Sequence, residues 1–281
     1  MEKEILPIIS YLEEKKGYDF SGNRISMLER RITKRLISTG CQNFGQYLDF
    51  IQNNNLELKE LINVLTINVT SFFRDTLAWE FVYSQVLPLI FEAKLLAKNH
   101  SINVWCAGCA TGEEAYTVAI LLNEIAEKKK TKFHINVLGT DINSNSLKAA
   151  KSGIYKKKDI ANVKSKLVDK YFESDFDTYT VSPVLREIVQ FGEFNLLSKT
   201  EPHPSTKLKS GFDIVICRNV LIYFNNEYQN KIFQKLCNSM NSKGFLMLGE
   251  AEIPAERYKS EFAKFNSCCK IYYRNGNHLN D

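Results

Sequence analysis

The sequence predicts an α/β fold, a mainly parallel sheet covered by helices with an antiparallel last strand, preceded by a small all-α domain. Three observations predict it. Residues 1 to about 75 carry helical periodicity and no convincing strand. From about residue 100, short apolar runs alternate with helix-compatible stretches. A loop of small residues follows the first of those runs, at the strand end where open α/β sheets bind ligands. The expected division is a helical domain over 1–75, a linker with one helix over 76–99, and a larger domain over 100–281 with a small β insertion near 170–190.

In the first domain, Ile25, Leu28, Ile32 and Leu36 recur at helical spacing and form one apolar stripe. Arg30, Arg31, Lys34 and Arg35 fall mostly on the other side, and Gly40 is a fitting C-terminal stop. Further helices are expected around Tyr47–Gln52 and Leu56–Leu65. Five later runs read as buried strands: Ile102–Trp105, Ile135–Leu138, Ile188–Phe191, Ile214–Cys217 and Phe245–Leu248. Lys270–Arg274, aromatic and β-branched, reads as the final, antiparallel strand.

Composition bounds the function. With 44% hydrophobic and 12% aromatic residues in 281, the chain can bury a substantial core. No apolar run approaches bilayer-spanning length, and the charged start Met1-Glu2-Lys3-Glu4 leads into no signal-peptide region. Seven cysteines in such a chain argue for reduced thiols and a cytosolic setting. The formal charge of +5 favours an acidic partner without naming it. Cys106 and Cys109 have no second pair at zinc-ligand spacing, so no metal is expected.

Four segments carry the chemistry. The first, Val104 through Tyr116, runs from strand through Gly108 and Gly112 into a helix opened by Glu113 and Glu114. Small residues let backbone pass close to a ligand. Two carboxylates there repel a pyrophosphate but tolerate a cationic ligand. The competing reading is a tight turn whose acids only complement the helix dipole. The second segment ends a strand in Gly139-Thr140-Asp141; a carboxylate in that place can accept two ribose hydroxyls, or else cap the helix beginning near Asn143–Ser146. The third joins Asn195-Leu196 to Arg218-Asn219-Val220, where neutral amides could read an adenine edge or simply form turns. The fourth is Asn68-Val69-Thr70-Ser71-Phe72-Phe73-Arg74-Asp75, near the domain junction.

Taken in order, Asn-Val-Thr-x-Phe-Phe-Arg-Asp, Ala-Gly-Cys-Ala-Thr-Gly-Glu-Glu-Ala-Tyr, Gly-Thr-Asp-Ile, Asn-Leu-Leu and Cys-Arg-Asn-Val-Leu-Ile-Tyr-Phe resemble the chemotaxis receptor methyltransferases, the CheR family. The resemblance spans nearly the whole chain, including the basic helix. It implies a class I S-adenosylmethionine-dependent methyltransferase domain, Rossmann-like, under a helical lid. It implies methylation of glutamate side chains of chemotaxis receptors, with S-adenosylhomocysteine as co-product. Asn68, Thr70, Arg74, Gly108, Glu113 or Glu114, Asp141, Asn195, Leu196, Asn219 and Val220 would bind the cofactor. Arg74 and Tyr223 would lie nearest the transferred methyl. Arg30, Arg31, Lys34 and Arg35 would dock on the acidic methylation region of the receptor, with no nucleic acid, no membrane insertion and a monomeric enzyme expected. Two alternatives stand beside this reading: a nucleic-acid methyltransferase, and a cofactor-sensing module that docks without turnover. The insertion lacks the glycine-rich turn of tail-binding relatives, so binding of a receptor tail is not expected.

Overall fold

Helical periodicity in the first 65 residues resolves into four helices: α1 (Glu2–Lys16), α2 (Ile25–Thr39), α3 (Phe44–Asn53) and α4 (Asn55–Leu65). The computed structural model describes residues 2–16, 20, 22–65, 70–198, 204 and 210–275. The chain forms two compact units, Met1–Asn68 with Ile222–Gln229, and Val69–Leu221 with Asn230–Asp281.

In the helical unit, the stripe on α2 does what its spacing dictates: Leu28, Ile32 and Leu36 are buried with Ile5, Ile8 and Leu12 of α1, Tyr47 and Ile51 of α3, and Leu58 and Leu61 of α4. Gly40 takes the left-handed conformation (φ 76°) and its N–H closes α2 on the Ile37 carbonyl. The Asn43 side chain caps α3 by accepting from Gln46 N at 2.9 Å. The segment Ile222–Gln229 belongs to this unit, and Phe224 forms an isolated antiparallel bridge with Asn23.

The second unit opens with α5 (Thr76–Phe81), which passes through a π-helical turn (Val82–Val86) into α6 (Leu87–Leu96). The expected linker is therefore continuously helical, because Ala78, Trp79, Val82, Val86, Leu87, Ile90 and Phe91 supply a buried face along its whole length. The chain then alternates through β1 (Ser101–Ala107), α7 (Glu113–Ala126), β2 (His134–Asp141) and α8 (Ser144–Ser152). A short segment follows, with β3 (Ile154–Lys156), α9 (Ser165–Tyr171), β4 (Phe172–Asp175), β5 (Thr178–Val181) and α10 (Pro183–Ile188). The remaining elements are β6 (Val189–Glu193), β7 (Phe212–Cys217), α11 (Asn226–Ser239), β8 (Met240–Leu248), β9 (Phe262–Asn266) and β10 (Ile271–Arg274).

Seven strands make the main sheet in the order β6-β2-β1-β7-β8-β10-β9. The first five run parallel, and β10 pairs antiparallel with both β8 and β9. The order reverses between β1 and β7, which puts the loops after β1 and β7 side by side at the carboxyl edge. Buried on both faces, β1 and β7 are apolar apart from Ser101 and the buried Asn103 and Asp213, whose carboxylate accepts from Asn103 N at 2.9 Å. The β insertion is a three-stranded antiparallel sheet, β3-β5-β4, over residues 154–181. It starts earlier than the expected 170–190, and residues 183–193 are instead α10 and the edge strand β6.

Candidate cofactor and methyl-transfer site

At the carboxyl edge of β1, the loop Gly108–Gly112 turns back over the end of β2. Gly108 and Cys109 both donate their N–H to the Thr140 carbonyl, at 2.8 and 2.9 Å. Gly108 (φ 75°), Ala110 (φ 48°) and Gly112 (φ 95°) are left-handed, so the loop is a tight succession of reversals. A Cβ on Gly108 would come within 2.6 Å of Val220 Cγ2. The loop after β1 and the loop after β7 are thus in contact.

Asp141 ends β2. One carboxylate oxygen accepts from Ala110 N and the other from Asn143 N, each at 2.9 Å. Burial pushes its pKa up while these backbone N–H groups oppose the shift. With Ile142 as a third backbone partner, the carboxylate still keeps lone-pair capacity. Capping of α8 falls to Asn143, whose side chain accepts from Asn145 N and Ser146 N. The capping alternative for Asp141 is thereby removed.

Glu113 and Glu114 open α7 and differ sharply. Glu113 is buried, and its carboxylate accepts the Thr111 hydroxyl at 2.7 and 2.9 Å. Glu114 faces Arg218, whose Nη1 lies 3.4 Å away. Burial pushes both carboxyls up to about 7, with the Arg218 and Arg74 charges opposing the shift at Glu114.

Arg74 is held in a strained turn. Phe73 (φ 52°) and Asp75 (φ 59°), its two neighbours, are both left-handed although neither is glycine. Such strain persists only where surroundings over-determine it. Here Phe72 is buried edge-on against Tyr155 and Phe172, at centroid distances of 4.8 and 5.1 Å, and Phe73 N donates to Thr117 Oγ1. Arg218 ties down the far side. Its guanidinium donates to the Arg74 carbonyl at 3.3 Å, pairs with Asp75 and Glu114, and lies 5.6 Å from the Trp79 ring centroid. Thr70 is half-buried just upstream, and Asn68 lies outside the described residues.

The remaining loop residues are fixed by local bonds. Asn195 Oδ1 accepts from Leu197 N at 2.8 Å, and Leu196 is buried. Asn219 is left-handed (φ 58°). The consecutive N–H groups of Asn219, Val220 and Leu221 all donate to the buried carboxylate of Glu252, at 2.9, 2.9 and 2.7 Å. Gly249 N adds a fourth donor at 2.7 Å. The glycine is required there, since a Cβ would stand 2.7 Å from Glu252 Oε2 and 2.8 Å from Asn219 N.

The second unit matches the family model described as CheR methyltransferase, SAM binding domain, over residues 68–269. Residues 3–66 match the CheR methyltransferase all-alpha domain. The chain belongs to the CheR methyltransferase family. Like that family, it is an S-adenosylmethionine-dependent methyltransferase. The chemotaxis protein methyltransferase of Borreliella burgdorferi is 31% identical over 252 residues, 89% of this chain and 87% of the relative. That of Listeria innocua is 29% identical over 90% of each chain, and that of Escherichia coli K12 is 29% identical over 87% of this chain and 82% of its own.

In this CheR chain the four basic residues of α2 do not form one solvent-facing row. Arg30 and Lys34 are exposed. Arg35 instead forks onto the buried Glu57 carboxylate, which also accepts the Tyr47 hydroxyl at 2.7 Å. Arg31 donates to the Val64 carbonyl at 2.6 Å and stands over the Tyr223 ring. At about 100° per residue Arg35 sits about 20° and Arg31 about 60° from Leu28, so both border the apolar stripe instead of opposing it and reach partners in the other helices. The motif reading names Arg218 without giving it a role and passes over Glu252; the first braces the Arg74 turn and the second the loop after β7. Glu252 has one sequence signal, an acid three residues after the glycine that follows β8. Cys106, Cys109 and Cys217 are buried free thiols, and no cluster among the described residues could hold a metal.

Proposed function

We propose that this enzyme methylates glutamate side chains in the cytoplasmic methylation region of chemotaxis receptors, acting as a cytosolic monomer and not on nucleic acid. One observation carries the reading: Arg74, on a turn braced by two left-handed neighbours and Arg218, shares a site with Glu114 at the edge that holds Asp141 and the Gly108 loop. The residues suit S-adenosylmethionine. A backbone reversal of small residues leaves room for an extended ligand, the acids at the start of α7 suit its cationic end, and Asp141 keeps acceptor capacity for hydroxyls.

In this reading Asp141 holds the ribose hydroxyls, and Asn195, Leu196, Asn219 and Val220 line the adenine and methionine positions. Thr70 closes over the cofactor. The cofactor supplies a methyl group on a sulfonium. A glutamate acceptor is already ionised at neutral pH, so the protein need not remove a proton to make the nucleophile. Its tasks are alignment and exclusion of water. Arg74 draws the acceptor carboxylate into line by charge, Tyr223 shapes the methyl channel, and Arg30 and Lys34 meet the acidic receptor surface.

The test is transfer of radiolabelled methyl from S-adenosylmethionine to receptor-bearing membranes, scored as base-labile methanol release. Labelled receptor that resists nucleic-acid competition supports the proposal, and Arg74→Ala is expected to lower kcat on the order of a hundredfold. Cofactor binding with no label on receptor would reject the acceptor; an unchanged rate and cofactor affinity in Arg74→Ala would reject the role of Arg74.

A further inference from the structure

Tyr223 is gripped twice by α2 and the residues leading into it. Along the backbone, Arg24 N donates to the Tyr223 carbonyl at 3.0 Å, Asn23 bridges Phe224, and Asn225 N donates to the Gly22 carbonyl at 3.0 Å. The fit is close, because a Cβ on Gly22 would come within 2.5 Å of the Tyr228 ring. At the side chain, the Arg31 guanidinium carbon stands 5.7 Å from the Tyr223 ring centroid, within cation–π range. The same guanidinium is anchored on its other side by the 2.6 Å bond to the Val64 carbonyl at the end of α4.

This is not the setting of a side chain reserved for a passing partner. Arg31 is half-buried beside Leu28 and Ile32, whereas Arg30 and Lys34 on the same helix are exposed. Burial holds its pKa below the ordinary guanidinium value, against the upward pull of Tyr223.

We propose that Arg31 is a positioning residue for methyl transfer: clamped between the Val64 carbonyl and the Tyr223 ring, it fixes the orientation of that tyrosine instead of docking the receptor. The proposal rests on the role given above to Tyr223. Of the basic residues of α2, Arg30 and Lys34 then serve encounter and Arg31 the chemical step, while Arg35 is held by Glu57. Lysine would keep the charge but lose the fork that reaches Tyr223 and the Val64 carbonyl at once.

The experiment is steady-state methylation of receptor-bearing membranes by the full chain and by R31A, R31K, Y223A, R31A/Y223A and R30A/K34A, with the thermal midpoint and S-adenosylmethionine affinity measured for each. R31A is expected to lower kcat on the order of ten- to hundredfold while receptor KM stays within about twofold. R31K, which fills the same space, should fall between wild type and R31A. In the Y223A background R31A should add nothing, because its effect passes through the tyrosine. R30A/K34A should raise receptor KM instead. A raised KM at unchanged kcat in both R31A and R31K would overturn the proposal, as would an R31A effect that multiplies in full onto Y223A. Full turnover by Y223A would overturn it together with the tyrosine's assigned role, while wild-type labelling would still stand for the methyltransferase reading.

Discussion

Replacing Glu252 with glutamine tests whether one buried carboxylate folds the loop after β7. The side chain is 3% exposed and accepts four backbone N–H groups, three of them from consecutive residues. Glutamine has nearly the same shape but only one carbonyl oxygen, which can accept two of the four; its NH2 then faces the other two donors. Two orphaned buried donors at about 1–2 kcal/mol each give a loss of about 2–4 kcal/mol. For a unit of this size that lowers the melting midpoint by about 6–12 °C. Calorimetry reads the midpoint, and titration with S-adenosylmethionine reads whether Asn219 and Val220 have moved. The exposed Glu256, paired only with Lys259 on the surface, serves as control and should shift the midpoint by about 1 °C or less on conversion to glutamine. An E252Q enzyme that melts and binds cofactor like wild type would refute the reasoning.

Three further outcomes are expected. Burial raises both Glu113 and Glu114 from 4.5 to about 7, so their contribution to stability is fully present below about pH 4.5 and lost as pH rises through 7; ionisation over that range favours a cationic ligand, and S-adenosylmethionine affinity should tighten from pH 6 to 8. Whichever of E113Q and E114Q flattens that profile identifies the contacting acid. Gly108→Ala should weaken cofactor binding at least about tenfold through the 2.6 Å clash with Val220 and the left-handed backbone, and adding Val220→Ala should restore only part of it, since φ stays positive. Glu57→Gln should destabilise the helical unit by about 1–3 kcal/mol in urea melts, because Arg35 and Tyr47 are left with one uncharged acceptor oxygen between them while Arg35 stays partly hydrated.

The parts of the fold written in local pattern were legible in the sequence. The central strands announced themselves as apolar runs, and the α2 stripe fixed which face of that helix is buried. The β3-β5-β4 sheet was poorly legible because Ile154-Tyr155-Lys156 and Phe172-Glu173-Ser174-Asp175 are too short and too polar to show a period. The glycine loop and Asp141 could be placed at the carboxyl ends of their strands from composition and order along the chain. What could not be read were the long-range ties: Glu252 to Asn219 across 33 residues, Arg35 to Glu57 across 22, Arg218 to Asp75 across 143. Nor does residue preference announce the left-handed turn at Phe73, which tertiary packing enforces against intrinsic cost, although Asp75 beside it is a residue type that tolerates that conformation.

The helical unit is discontinuous, since Ile222–Gln229 is part of it. On the ribosome, α1 to α4 emerge early, but the strip that pairs with Gly22–Arg24 appears only when most of the chain has been made. At ordinary synthesis rates the delay is on the order of ten seconds. Throughout it the entrance to α2 exposes backbone donors and acceptors whose partners do not yet exist. The bundle that seems to come first is thus finished near the end, and cutting the gene after α4 would release a module permanently short of one of its own pieces.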